Sequence, residues 1–310
     1  MISVVMPARN NAPYVREAID SILGQTEGDL ELLVIDDASS DDTAAVVSSV
    51  GDPRVRLLRN EIRLGIAGSV NRGIAAARGE YIARMDADDV AMPTRLATQR
   101  AFLEAHPRVA LCGTWVRMFD GAWHRDRRLE THPERMRCAL LLFNVLSHPT
   151  AMWRRGAFAQ HGLTYDESFT NSEDYDLWCR ASHVVGIANV PAVLLRYRVH
   201  GAQAGHDRPA RLREGERVRL AQLARLGASL TPEQLAVHHT LGIAGRLPSA
   251  ADGRGWRDAL LAANGRTRVY DAGVLCAVLN EQLFLAGAWR HATPRTLVRL
   301  AIGAIDDRRR

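Results

Sequence analysis

An α/β fold, with a mixed and mostly parallel sheet flanked by helices, is predicted by three features of the sequence. Short apolar runs alternate with amphipathic helical patterns over the first 105 residues. Polar and acidic residues gather where the apolar runs end. From about residue 205 the strand signal stops and helical patterns continue, which predicts an α-helical C-terminal region.

The N-terminal part predicts strands and helices in strict alternation. Ala18, Ile19 and Ile22 recur on one helical face, and the runs between the helices are short, apolar and rich in β-branched residues. Strands are predicted at residues 2–6, 30–35, 55–58, 80–85 and 109–118, and helices at residues 12–23, 41–50, 66–77 and 94–105.

The alternation weakens after residue 118. Residues 123–137 are polar and arginine-rich and are predicted to be a loop, followed by a helix at 138–143. Short strands at 151–154 and 193–197 complete the mixed sheet. Thr231 and Gln234 form a capping-box pattern that begins a helix, and further helices are predicted at 208–226, 269–289 and 294–305.

Composition excludes several classes of protein. The 310 residues carry a formal net charge of +5 without a dominant basic run, so we expect no nucleic-acid partner. The sequence contains no lysine, which excludes a Schiff-base lysine and a phosphate-loop lysine. The segment after the first strand, Pro7-Ala8-Arg9-Asn10, is not the glycine-rich turn of a dinucleotide-binding dehydrogenase.

The cysteines and the apolar runs bear on location. The four cysteines have no C-x-x-C spacing, which favours reduced thiols over a zinc site and predicts a cytoplasmic protein. No secretory leader is visible, and no run reaches the ~18 to 20 apolar residues that a spanning helix needs.

The most informative segment is Asp86-Ala87-Asp88-Asp89, which follows a predicted buried strand. Clustered carboxylates repel one another unless a cation offsets their charge, and carboxylate oxygens suit a hard divalent ion. The alternative is an acidic turn in which Asp89 caps the next helix. The position at a strand end, where ligands bind in α/β sheets, favours a functional site.

Five segments together resemble the inverting, nucleotide-sugar-dependent glycosyltransferases of family 2, which have the GT-A fold. The resemblance covers about residues 1–205, with a nucleotide-binding half at about 1–118 and an acceptor half at about 119–205, and leaves residues 206–310 as a helical region without a resemblance. In order, the segments are Val4–Asn10, Val34–Asp41, Asn71–Ile74 with Ala77–Ile82, Asp86–Asp89 and Ser172–Trp178.

The resemblance implies a nucleotide site at the ends of the first two strands. Asp37 would accept a hydrogen bond from a pyrimidine base, which favours a UDP-sugar donor, and Pro7 and Arg9 would form the wall around the base. The alternative is that Asp36 and Asp37 cap the helix that begins near Asp41.

The resemblance also implies a divalent metal, Mn²⁺ or Mg²⁺, at the acidic segment. Asp88 would bind the ion, and Asp86 would contact the donor ribose or reach the ion through water. Arg198 and His200 would reach the diphosphate or the metal. A surface position without function is the alternative for His200.

On the acceptor side, the resemblance makes Asp174 the base that takes the acceptor proton. Glu173, His148 and Thr150 would lie nearby and line the acceptor site. The alternative for both acidic residues is that they only complement the positive end of a helix.

The sequence therefore predicts an enzyme that transfers a sugar to a glycan or lipid-linked acceptor in bacterial cell-surface assembly. The competing reading is a nucleotide-sugar-binding or assembly subunit without catalytic activity. Arginines at 208–219 interleave with leucine and valine, which suggests a peripheral contact with an anionic membrane at its inner face. Packing of this segment on the protein is the alternative.

Overall fold

The computed structural model describes residues 1–121, 123–201, 208–243, 247 and 252–287. The chain divides into two compact units. The first unit comprises Met1–Arg137 and Asn144–Gly215. The second comprises Cys138–Phe143 and Glu216–Arg310, as far as the latter range is described.

Strands and helices alternate from the N-terminus to the end of the sheet. In order they are β1 (Ile2–Ala8), α1 (Val15–Leu23), β2 (Leu30–Asp36), α2 (Thr43–Ser48), β3 (Val55–Arg59), α3 (Gly65–Ala76), β4 (Tyr81–Arg84), β5 (Val90–Ala91), α4 (Arg95–Ala105), β6 (Val109–Asp120), β7 (Trp123–Arg127), α5 (Pro133–Ala139), a 3₁₀ turn (His148–Thr150), β8 (Met152–Arg154), α6 (Arg155–Gln160), α7 (Glu173–Ser182) and β9 (Gly186–Arg198).

The strands form one mixed sheet in the order β3-β2-β1-β4-β8-β6-β9-β5, and β7 pairs with β6 outside this path. The ladders among β3, β2, β1 and β4 are parallel, as is the long ladder between β6 and β9. The pairs β4–β8, β6–β8, β6–β7 and β5–β9 are antiparallel. The predicted α/β fold, with a mixed and mostly parallel sheet flanked by helices, is confirmed.

The register of the parallel strands brings their polar ends to one edge of the sheet. Ala8 pairs with Asp36, and Val5 pairs with Arg84. The residues that follow β1, β2 and β4 therefore lie side by side, because parallel strands all end in the same direction. This edge is where the sequence predicted the site.

Helix α3 lies unusually close to the sheet because of one glycine. A Cβ atom on Gly73 would lie 2.5 Å from Cγ1 of Val5 and 2.8 Å from Cδ1 of Ile35. A larger residue would force α3 or these two side chains to shift, since the interior is close-packed. Gly73 thus fixes the position of the helix whose first turn reaches the site.

The predicted loop at residues 123–137 is wrong, because it contains β7 and most of α5. Strand β7 forms a hairpin with β6, and the Arg117 guanidinium makes two hydrogen bonds to the carboxylate of Asp126. Four of its five residues are exposed, so the sequence lacks the apolar alternation that identifies a strand. The predicted helix at 138–143 is also wrong, since α5 ends at Ala139.

The C-terminal region is helical, as predicted, in the part that is described. It contains α8 (Arg208–Leu226), α9 (Pro232–Gly242), α10 (Gly253–Thr267) and α11 (Ala272–Leu285). The capping box of Thr231 and Gln234 is present at the start of α9. Among the described residues, none of the helices has the length and apolar character to cross a bilayer.

Helix α10 was not predicted, and the predicted helix at 269–289 begins at Ala272 instead. Glycines at 253, 255 and 265 lower the intrinsic helix propensity of α10. Burial of Trp256, Leu260 and Ala263 within the second unit overrides that propensity. The predicted helix at 294–305 lies outside the described residues.

Candidate functional site

The loops after β1 and β2 interlock through side chain to backbone hydrogen bonds. The Arg9 guanidinium donates to the carbonyl oxygens of Asp37 and Ala38 at 2.8 and 3.1 Å. Pro7, near the end of β1, is half-buried. The structure therefore brings Pro7, Arg9 and Asp37 together at the sheet edge, as the sequence indicated.

The Asp37 carboxylate is only 4 % exposed and is held by three donors. Its Oδ1 accepts from Asn60 Nδ2 at 2.8 Å and from the Leu64 amide at 2.7 Å, and its Oδ2 accepts from the Gly65 amide at 3.0 Å. Asp37 therefore caps α3, whereas the sequence offered α2 as the helix it would cap. A carboxylate has about four acceptor positions, so Oδ2 can still accept one bond from a ligand.

Three carboxylates crowd together where β4 ends. Oxygen atoms of Asp86, Asp88 and Asp89 lie within 4.8 Å of one another. Asp89 is fully buried, and its Oδ1 accepts from the Arg198 amide at 2.9 Å. The suggestion that Asp89 caps the next helix is wrong, because α4 begins at Arg95 after the N-cap Thr94.

This cluster fits a divalent cation. Burial, and then the charge of Asp86, raise the pKa of Asp88, and the pKa of Asp89 is raised well above its usual range by burial and by both neighbours. Oδ2 of Asp89 is buried without a hydrogen-bond partner. A hard divalent ion would offset the repulsion and would take oxygen ligands of this kind. Asp86 and Asp88 are therefore the residues that would hold the metal, with Asp89 beside them.

His200 and Arg198, at the end of β9, both contact Asp88. His200 Nε2 lies 2.9 Å from Asp88 Oδ2, so the structure brings His200 to the acidic cluster. The Arg198 guanidinium donates to the Asp88 carbonyl at 2.8 Å, pairs with Glu17 and stacks over the ring of Tyr14. These contacts make Arg198 a support for the acidic turn.

A cavity of about 380 Å³ in the first unit joins the acidic cluster to the predicted acceptor side. Asp86 and Asp88 line it together with Glu173 and Asp174. The other residues of its wall include Arg84, Arg127, Asn144, His148, Tyr197 and Arg211. Thr150 is not among the lining residues; it is fully buried, and its hydroxyl donates to the Ser147 carbonyl at 2.7 Å.

Glu173 and Asp174, the first two residues of α7, have different environments. Asp174 Oδ2 accepts from Asn144 Nδ2 at 2.7 Å, and Oδ1 accepts from the Tyr175 amide at 2.7 Å. Burial raises the pKa of Asp174, and these two bonds oppose that rise. Glu173 is 4 % exposed, and its Oε2 has no hydrogen-bond partner. Burial, followed by the charge of Asp174, raises the pKa of Glu173 to about 8. The two residues therefore differ: both oxygens of Asp174 are hydrogen-bonded, whereas the raised pKa of Glu173 keeps its carboxyl protonated at neutral pH.

A chain of polar contacts links this pair to α3. His148 Nδ1 lies 3.7 Å from Glu173 Oε1, and its Nε2 lies 2.9 Å from the Tyr165 hydroxyl. The backbone of Tyr165 exchanges two bonds with the Asn71 side chain of α3, at 3.0 and 3.1 Å. Burial and the nearby Arg84 lower the pKa of His148 well below its usual range, so its imidazole is neutral.

The sequence analysis missed Arg84 and Asn144, two cavity residues that contact the predicted site residues Asp86 and Asp174. Arg84 is 1 % exposed and forms an ion pair with Asp86. A charged residue inside the buried strand β4 was a visible signal, since buried arginines need a partner. Asn144 had no such signal, because it lies in an irregular segment far in sequence from Asp174.

The fold and this cavity define a glycosyltransferase, and comparison with known proteins identifies its family. The profile described as Glycosyl transferase family 2 matches residues 3–162. An uncharacterised glycosyltransferase of Haemophilus influenzae is 30 % identical over 66 % of this chain and 67 % of its own length. The O-antigen biosynthesis glycosyltransferase WbnJ of Escherichia coli is 32 % identical over 64 % of this chain and 80 % of its own length. The chain belongs to glycosyl transferase family 2.

Solved structures support the fold. S. aureus TarS, in complex with UDP-GlcNAc, superimposes with a TM-score of 0.62 over 92 % of both chains at 17 % identity. The mannosyltransferase PcManGT from Pyrobaculum calidifontis, in complex with GDP-Man and Mn²⁺, gives a TM-score of 0.52 over 98 % of this chain and 79 % of its own at 19 % identity. The predicted GT-A fold is confirmed.

The raised pKa of Glu173 predicts a pH dependence of stability. The folded protein keeps a proton on Glu173 up to about pH 8, whereas an unfolded chain releases it near the ordinary value of 4.5. Raising the pH through this window therefore favours unfolding.

We expect the free energy of unfolding in urea, without added metal, to fall more between pH 5 and pH 8 in the wild type than in Glu173→Gln. The exposed Glu61→Gln serves as control and should follow the wild type. Equal losses in the wild type and Glu173→Gln would contradict the assignment.

Proposed function

We propose that this protein transfers a sugar from a nucleoside diphosphate sugar to an acceptor hydroxyl, with inversion at the anomeric carbon. The observation that carries the proposal is that Asp86, Asp88 and Asp174 line one and the same cavity. A displacement needs a charged site for the departing diphosphate and a base for the attacking hydroxyl. The relation to WbnJ supports a role in bacterial surface polysaccharide or glycolipid assembly.

The donor is proposed to be a UDP-sugar. Asp37 retains one acceptor position for a pyrimidine N–H, and Pro7 and Arg9 lie beside it. TarS, which has a similar fold, was solved with UDP-GlcNAc, and this supports the same class of donor.

Asp174 is the proposed base. It takes the proton from the acceptor hydroxyl as that oxygen attacks the anomeric carbon, and the bond from this carbon to the diphosphate breaks on the opposite face of a transition state with oxocarbenium character. Asn144 and the Tyr175 amide hold its two oxygens, and each oxygen keeps a free acceptor position. Glu173 is the poorer base, because a carboxyl that is already protonated cannot accept a proton.

Asp86 and Asp88 are proposed to hold Mn²⁺ or Mg²⁺, with His200 in contact with Asp88. Such an ion supplies Lewis-acid stabilisation of the charge on the leaving diphosphate. With no lysine in the chain, arginine is the only other permanently cationic side chain for this purpose.

Asp174→Asn tests the base. Asn keeps the shape of the side chain but cannot accept a proton. We therefore expect the rate at which the donor sugar nucleotide releases its nucleoside diphosphate to fall by roughly 10²- to 10⁴-fold. Donor affinity should stay nearly unchanged. The control is Asp176→Asn on the same helix, whose carboxylate pairs with Arg180 at 2.7 Å and should matter far less for rate. A near-normal rate for Asp174→Asn, or a larger loss for Asp176→Asn, would place the base elsewhere.

Chelation tests the metal. EDTA should abolish diphosphate release, and Mn²⁺ or Mg²⁺ should restore it. Asp88→Ala should weaken donor binding as well as the rate, because substrate and transition state would both use the ion. Asp120→Ala, an exposed carboxylate at the end of β6, should leave both quantities unchanged. Full activity in EDTA would rule out the metal assignment.

A peripheral membrane contact is proposed for α8. Its Val218 and Leu223 are buried, so the contact would rest on charge and not on insertion of an apolar face. We expect flotation with anionic liposomes at low salt, loss of flotation at high salt, and weaker flotation for the exposed pair Arg213→Gln/Arg225→Gln. Arg63→Gln/Arg108→Gln, also exposed, serves as control. Protein that stays wholly in the soluble fraction at low salt would refute the contact.

A further inference from the structure

Arg84 is a buried cation with unused hydrogen-bonding capacity at the wall of the cavity. It is the last residue of β4, is 1 % exposed and lines the cavity. Among the described residues, its ion-pair partner is Asp86, and its Nε is buried without a hydrogen bond. A guanidinium has five N–H donors, and burying them unpaired is unfavourable. A bound ligand in the cavity could therefore supply the hydrogen-bond acceptor that Arg84 lacks.

Arg95 provides an internal comparison. It is also fully buried, but its Nε donates to Gln99 Oε1 at 3.1 Å and its Nη2 donates to the Arg84 carbonyl at 2.5 Å. Arg95 is not among the residues that line the cavity. Its hydrogen bonds thus explain its burial by structure alone, whereas those of Arg84 do not.

Arg84 lies between the two groups of acidic residues. Asp86 contacts its guanidinium on the side of the proposed diphosphate site, and Glu173 is close enough to interact with its charge on the acceptor side. The proposed displacement requires the anomeric carbon to lie between the departing diphosphate and the attacking oxygen. The group that lies beside Arg84 is therefore the sugar being transferred.

We propose that Arg84 binds the transferred sugar by donating N–H hydrogen bonds to its hydroxyl oxygens. This inference rests on the proposed function and adds to it a residue that selects the donor sugar. Since Asp86 already compensates the charge of Arg84, its remaining N–H donors can bond to neutral hydroxyl oxygens.

Binding of a nucleoside diphosphate with and without its sugar tests the proposal. Dissociation constants would be measured by calorimetry with Mn²⁺ for UDP against UDP-N-acetylglucosamine, and for GDP against GDP-mannose. For the pair that the wild type binds, Arg84→Gln should weaken the sugar nucleotide by roughly 10- to 100-fold, the range for bonds from a charged donor. The bare diphosphate should bind as before.

Two further variants separate binding from folding. Arg84→Lys keeps the charge beside Asp86 and should recover part of the lost affinity for the sugar nucleotide; it also carries the test if Arg84→Gln does not fold. Arg95→Gln should lower the melting temperature without changing the ratio of the two dissociation constants.

An equal loss of affinity for the sugar nucleotide and for the bare diphosphate in Arg84→Gln would mean that Arg84 acts only through Asp86. No loss of affinity for either would mean that Arg84 binds no sugar. Both results overturn the inference. A wild type that binds none of these nucleotides would instead refute the proposed function, and the inference with it.

Discussion

The crowding of negative charge at the end of β4 is the constraint on which the rest of the structure depends. Asp86, Asp88 and Asp89 lie within 4.8 Å of one another in a partly desolvated turn. Three carboxylates this close repel one another, so positive charge or hydrogen-bond donors from other residues must offset the repulsion. The Arg84 guanidinium forms an ion pair with Asp86. From the end of β9, the Arg198 amide donates to Asp89 and the His200 ring contacts Asp88. The segments that follow β4 and β9 are thus held together by contacts that offset the charge of the cluster.

The two acidic residues at the start of α7, Glu173 and Asp174, also differ in how their charge is compensated. They are adjacent in sequence, but Asp174 accepts hydrogen bonds from two donors, while one oxygen of Glu173 is buried without a hydrogen-bond partner. Burial raises the pKa of both residues, and the hydrogen bonds from Asn144 and the Tyr175 amide oppose that rise at Asp174. The neighbouring sequence does not reveal this difference, because Asn144 reaches Asp174 from 30 residues away.

Much of the fold and part of the site could be predicted from the sequence. Alternation of apolar strands and amphipathic helices was sufficient for the elements from β1 to α4 except the two-residue strand β5, which is too short to show a pattern. It failed for β7, which is exposed on both sides, and for α10, whose glycines conceal a helix held by tertiary packing. At the site, the carboxylates were visible because they stand at strand ends. The contacts of Asp37 with Asn60 and α3 were not, since they depend on how closely Gly73 lets that helix approach the sheet.

Helix α3 connects two parts of the first unit, because hydrogen bonds join its first turn to Asp37 and its middle to Tyr165. Asp37 holds the first turn, at Leu64 and Gly65, and Asn71 holds the backbone of Tyr165 six residues further on. At 1.5 Å per residue these anchors are about 9 Å apart along a stiff rod. The distance between the Asp37 contact and the Tyr165 contact is consequently set by the length of one helix. A displacement of α3 would therefore move both contacts together, because a single helix carries them.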